Sequence, residues 1–77
     1  MYKQYRRIGF TEARPVTVEE IAKIIEENPE RISISEEDIK NGSPKLGDMI
    51  AQNPLNTNDK WLISEEYFQK NFIVVEN

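Results

Sequence analysis

Apolar and polar positions change period several times along the chain, and each period predicts an element. In "YKQYRRIGFTEARP", residues 2–15, Tyr2, Ile8 and Phe10 share one parity while Arg7 and Thr11 take the other. That alternation predicts an N-terminal strand. Arg6 interrupts the pattern, and Gly9 between Ile8 and Phe10 fits a bulge or a close backbone approach. Pro15 ends ladder pairing.

The period then lengthens. In "VTVEEIAKIIEENP" the residues Val18, Ile21, Ala22, Ile24 and Ile25 fall on one helical stripe, predicted to be buried over 18–28. Thr17 with Glu20 three residues on is a capping box, and Val16 with Ile21 is a hydrophobic staple. Pro29 stops the helix near Asn28. "RISIS" reads as a short strand over 31–34 with Ile32 and Ile34 inward. Ser35 caps a short helical segment, "EEDIKNG", that Gly42 terminates. "SPKLGD" is a turn. Met49 to Ala51 and Trp61 to Ile63 read as strands separated by a 53–60 loop rich in asparagine. Ser64 caps "EEYFQKNF", in which Phe68 and Phe72 share a face. "IVV" is a last strand or an extended tail.

These elements predict one α+β domain spanning residues 1–77. A small antiparallel sheet, built from the N-terminal strand, 31–34, 48–52 and 61–63, packs against two helices, 18–28 and 65–72. The 49–63 unit is expected to be a long-looped hairpin. The chain has 77 residues, a size at which about 60–65% of the unfolded surface is buried and stability is marginal.

Composition narrows the chemistry. There is no cysteine and no histidine, which removes thiolate and imidazole catalysis and the common zinc-site designs. No apolar run approaches the roughly 18 residues of a membrane span, and no signal-peptide pattern is expected at the start of the chain. Charge is uneven. Residues 1–16 hold Lys3, Arg6, Arg7 and Arg14 against Glu12, a net of +3, and residues 17–77 hold six basic against thirteen acidic side chains, a net of −7. An acidic body disfavours nucleic acid, and a basic edge suits mixed protein surfaces.

No catalytic constellation emerges. The acidic pairs Glu19/Glu20, Glu26/Glu27, Glu36/Glu37 and Glu65/Glu66 are adjacent in sequence, and adjacent helical residues do not converge on one substrate bond. They read as helix-start charges and solvated faces. Asn53, Asn56, Asn58 and Asp59 offer one acid and no glycine, too little for an EF-hand-like calcium loop. They read as Asx-turns, in which each short side chain bonds the backbone two residues on. Gly9, Gly42 and Gly47 have no phosphate-loop spacing. No enzyme activity, cofactor or metal ion is therefore expected.

The segment "GSPKLGDMIAQNPLNTNDKWLISEEYFQKNF" resembles one found in small uncharacterised tailed-bacteriophage proteins. There a GDMIA-like strand, an NP-start loop, a D-x-W-L strand and a YF-x-x-NF helix follow in this order. "YRRIGFTEARP" resembles the opening strand of the same group, whereas the helix at 17–28 lies outside the resemblance. The resemblance implies a phage genome and expression in a bacterial cytoplasm. It carries no catalytic residues.

Three classes of function follow as expectations. The first is a non-enzymatic phage accessory protein that binds a host protein, either to block a defence system or to redirect a host enzyme. The second is a virion structural or assembly protein that forms a homo-oligomer through an exposed edge strand. The third is nucleic-acid binding through the basic N-terminal strand. The expected partner-binding residues are Arg6, Arg7 and Arg14 on that strand, with Leu55, Asn56, Asn58 and Asp59 on the 53–60 loop.

Overall fold

The runs Met49–Ile50–Ala51 and Trp61–Leu62–Ile63 are apolar without alternation, so any strand they form must be covered on both faces. The computed structural model describes residues 2–6 and 10–74, with the side chains of 3–6, 10, 73 and 74 outside the description. It pairs those runs in β3 (Met49–Asn53) and β4 (Asn56–Ile63), with Met49 opposite Ile63, Ile50 opposite Leu62 and Ala51 opposite Trp61. With β1 (Lys3–Arg6), β2 (Phe10–Pro15) and β5 (Ile73–Val74) they make a five-stranded sheet of order β4-β3-β2-β1-β5, in which every pairing is antiparallel. Among the described residues the helices are α1 (Val18–Glu26), α2 (Glu36–Lys40) and α3 (Glu65–Asn71). The expected α+β class, an antiparallel sheet packed against helices, is what the chain adopts.

Period-2 alternation sorts the core into two clusters, one on each face of the sheet. Ala13, Met49, Ala51 and Ile63 face α3 and are joined by Trp61, Phe68 and Phe72. The Phe68 and Phe72 rings stack at 5.3 Å. Val16, Ile32, Ile50 and Leu62 face α1 and are joined by Tyr2, Ile21, Ile24 and Ile34. α1 and α3 thus close opposite faces.

The helix starts are as the sequence predicts. Thr17 and Glu20 complete the capping box, Ser35 Oγ accepts from the Asp38 N–H at 3.1 Å, and Ser64 Oγ accepts from the Tyr67 N–H at 3.3 Å. Gly42 ends the α2 region at φ 98°, a left-handed conformation open to glycine.

Four expectations are corrected. The N-terminal strand is two strands: β1 and β2 pair with Arg6 opposite Phe10, so the chain reverses between them. Residues 7–9, with Gly9 and its expected bulge, lie outside the described residues. Residues 31–34 are not a ladder strand. The Asn28 side chain accepts from the Ile32 N–H at 2.9 Å and donates to the Ile32 carbonyl at 2.8 Å, so Ile32 has no backbone group left for a neighbour. A single parallel bridge from Ser33 to Trp61 remains. The 53–60 loop is mostly strand. β4 starts at Asn56, and Pro54–Leu55 is a tight turn closed by the Asn53–Asn56 pair. The sequence hid this because Asn56–Asp59 are exposed and so show no alternation. The α1 stripe is only half buried: Ile21 and Ile24 pack on the sheet, but Val18 is 62% and Ile25 68% exposed.

Candidate functional site

β3 and β4 project a hairpin whose last apolar residue has no core beneath it. Leu55 is 95% exposed at the tip. The amides around it brace the backbone: Asn53 Oδ1 accepts from the Leu55 N–H at 2.9 Å, and Asn56 Oδ1 accepts from the Asn58 N–H at 3.2 Å. These are the Asx-turns that the asparagine spacing implies. Lys60 Nζ donates to the Thr57 carbonyl across the same bend. A register shift between Gln52 and Asn53 turns the strand just before the tip.

Strand register brings this tip and part of the basic N-terminal strand to one end of the sheet. Gln4 pairs with Glu12, Glu12 with Gln52 and Gln52 with Lys60. Arg6 and Phe10 therefore lie beyond Glu12 toward the same end as Asn53 and Asn56. One strand separates β1 from β3, so their backbones run about 10 Å apart. Arg7 lies outside the described residues, and for Arg6 only the backbone is described.

Arg14 is not part of that end. It pairs in register with Ile50 near the opposite end of the sheet, and its guanidinium grips the Glu20 carboxylate with both terminal nitrogens. It also lies 5.1 Å over the Tyr2 ring. Both charged side chains are only 19% exposed. Arg14 holds the Glu20 carboxyl down at about 2, far below its usual 4.5, with the Thr17 backbone N–H assisting. Burial pushes the Tyr2 hydroxyl up against the pull of Arg14. The Tyr2 oxygen has no hydrogen-bond partner among the described residues. Arg14 thus docks α1 onto the sheet and presents little free charge to a partner.

One residue central to the structure carries no sequence motif. Asp48 is fully buried and its carboxylate gathers four donors. Oδ2 accepts from Ser43 Oγ at 2.8 Å and from the Lys45 N–H at 2.9 Å. Oδ1 accepts from Lys45 Nζ at 3.0 Å and from the Glu65 N–H at the start of α3 at 3.0 Å. Burial alone would raise this carboxyl, but Lys45, the Ser43 hydroxyl and the two backbone N–H groups outweigh it and hold it below the usual range. The signal in the sequence was its place: an acid between Gly47 and an apolar run buried on both faces is carried inside with that run.

Two grooves flank the helices. A cleft of about 810 Å³ between α2 and α3 is lined by Asp38, Asn41, Trp61, Tyr67 and Lys70 among others. A smaller groove of about 390 Å³ lies between α1 and α2. Among the described residues no three His, Cys, Asp or Glu side chains cluster as metal ligands, and no helix is long and apolar enough to cross a membrane. No family model matches the chain, and no curated protein or solved structure matches it.

Proposed function

We propose that this chain is a small non-enzymatic accessory protein of a tailed bacteriophage. In this reading it acts in the host bacterial cytoplasm by binding a host protein and blocks a component of host defence. The observation that carries it is Leu55, an aliphatic side chain held almost wholly in water on a hairpin tip that its own asparagines brace. A braced tip loses little conformational entropy on binding, and binding residues favour loops fixed by a rigid scaffold. Asn56, Asn58 and Asp59 are exposed beside it and supply polar contacts around an apolar anchor.

The test is capture from host lysate with the parent and with a Leu55→Ala/Asn58→Ala double variant. The partner retained by the parent is expected to be lost from the variant, with an unchanged melting curve, because exposed positions usually shift stability by no more than about 0.5 kcal/mol. Equal retention by both proteins would remove the hairpin tip from the reading.

A second reading rests on the outer edge of β4. β4 is a terminal strand of the sheet, bridged there only at Trp61 by Ser33 among the described residues. The Lys60 carbonyl there accepts from the Ser33 N–H and the Asn58 N–H is held by Asn56 Oδ1, and the rest of the backbone of residues 56–59 is an edge for strand addition, which suits self-association in virion assembly. Presence of the protein in purified particles separates this reading from the first.

A further inference from the structure

α1 exposes the half of its apolar stripe that the sheet does not cover. Ile25 is 68% exposed, and from α2 Ile39, 57% exposed, lines the same groove. Between them the groove is lined by Ile24, Ile32, Ile34 and Pro44, with only Asn28 and Ser43 as polar lining. A single exposed isoleucine is ordinary on a protein surface. Two of them, from different helices, over an apolar groove of about 390 Å³, form a receptive surface.

Charge decides what such a groove accepts. Both helices that wall it are acidic. α1 carries Glu19 and Glu26 against Lys23, its Glu20 being held by Arg14, and α2 carries Glu36 against Lys40, its Glu37 and Asp38 lining the cleft toward α3. Over residues 18–40 there are eight acidic and three basic side chains. A second copy of the chain would bring one net-acidic helix pair against another, and anionic membranes or nucleic acid would be repelled. A small apolar molecule would stay wet, because the two isoleucines over the groove are more than half exposed. The complementary occupant is an amphipathic helix with an apolar stripe and a cationic flank.

We propose that the α1–α2 groove docks a cationic amphipathic helix of a partner protein. Apolar side chains of that helix, spaced three and four residues apart, enter between Ile25 and Ile39, and its lysines or arginines face the acidic helix surfaces. This site is separate from the hairpin tip and does not depend on it.

The experiment uses fluorescence anisotropy with three labelled synthetic peptides. One has leucines at helical spacing and lysines elsewhere, the second replaces every lysine with glutamate, and the third scrambles the first. Saturable binding is expected for the first alone, weakening as salt rises. Ile25→Ser and Ile39→Ser are expected to weaken it about tenfold each without moving the melting temperature, while Leu55→Ala leaves it intact. Equal binding of the glutamate or scrambled peptide, absence of binding by the lysine peptide, or parental affinity in both isoleucine variants would overturn the proposal. So would a parental dimer in sedimentation that Ile25→Ser dissociates, since the groove would then be covered by a second copy.

Discussion

Asp48→Asn is a small change in shape with a large expected effect. The carboxylate has two oxygens, and each accepts one backbone N–H: Lys45 on Oδ2 and Glu65 on Oδ1. An asparagine keeps one oxygen and replaces the other with an NH₂ donor. Whichever way the amide flips, that donor meets a backbone N–H that cannot rotate away. The substitution also leaves Lys45 Nζ without its nearer anion. Its remaining ion pair, to Glu66 at 3.6 Å, is more exposed. Removing one partner of a buried pair costs about 3–5 kcal/mol. The Lys45 end is one-third exposed and can rehydrate, which puts the expected loss near about 3 kcal/mol. A domain of this size has about 4–12 kcal/mol in total. With a urea slope of about 1 kcal/mol/M, the midpoint should fall by about 3 M. Trp61 is the only tryptophan and packs against the α3-side cluster, so its fluorescence reports the transition. Lys45→Met leaves the fully buried carboxylate without its counter-charge but with three of its four donors, so its loss measures the charge apart from the hydrogen bonds. An Asp48→Asn midpoint within about 0.5 M of the parent would refute the reasoning and show that water or backbone relaxation satisfies those donors.

Two further outcomes can be measured in the same assay. Because Glu20 is held at about 2 in the folded state against 4.5 when free, its ion pair stabilises the fold above the free value, and that stability drains away as pH falls from about 4.5 toward 2. Glu20→Gln, which keeps an oxygen for the Thr17 N–H, should lose up to about 3 kcal/mol at pH 7 and approach the parent near pH 2, whereas a gap independent of pH would mean the pair contributes by shape alone. Thr17→Ala and Ser64→Ala should each lose about 1 kcal/mol, and unmoved urea midpoints in both variants would show that the caps are dispensable.

Elements that declare themselves locally were legible in the sequence. Thr17, Ser35 and Ser64 each act within three residues of themselves, so spacing alone identifies them. The Asx-turns at Asn53 and Asn56 are local in the same sense. What was hidden depends on partners distant in the chain. "RISIS" has the composition of a strand, but Asn28 occupies the Ile32 backbone first. Arg14 looks like a surface cation until α1 folds back and sets Glu20 against it. Ile25 belongs to the helical stripe by periodicity, yet the sheet covers only the Ile21 and Ile24 side of that stripe. Asp48 is one acid among many in sequence, and its burial depends on a turn, a strand and the start of α3 meeting at one point.

The two candidate surfaces differ in how they were left open. Both faces of the central strands are occupied, by α1 and by α3, so the apolar residues that remain outside are those that those two layers could not cover. Leu55 is outside because the hairpin outruns its cover. Contact there rests on its apolar area and on the exposed Asn56, Asn58 and Asp59 beside it. Ile25 and Ile39 are outside because α1 and α2 do not close on each other, and the helices that carry them have more acidic than basic side chains. Contact there must satisfy a charge as well as a stripe. If the groove takes the proposed cationic helix, salt is expected to weaken binding there. A partner that engages both surfaces would gain from their fixed spacing on one sheet.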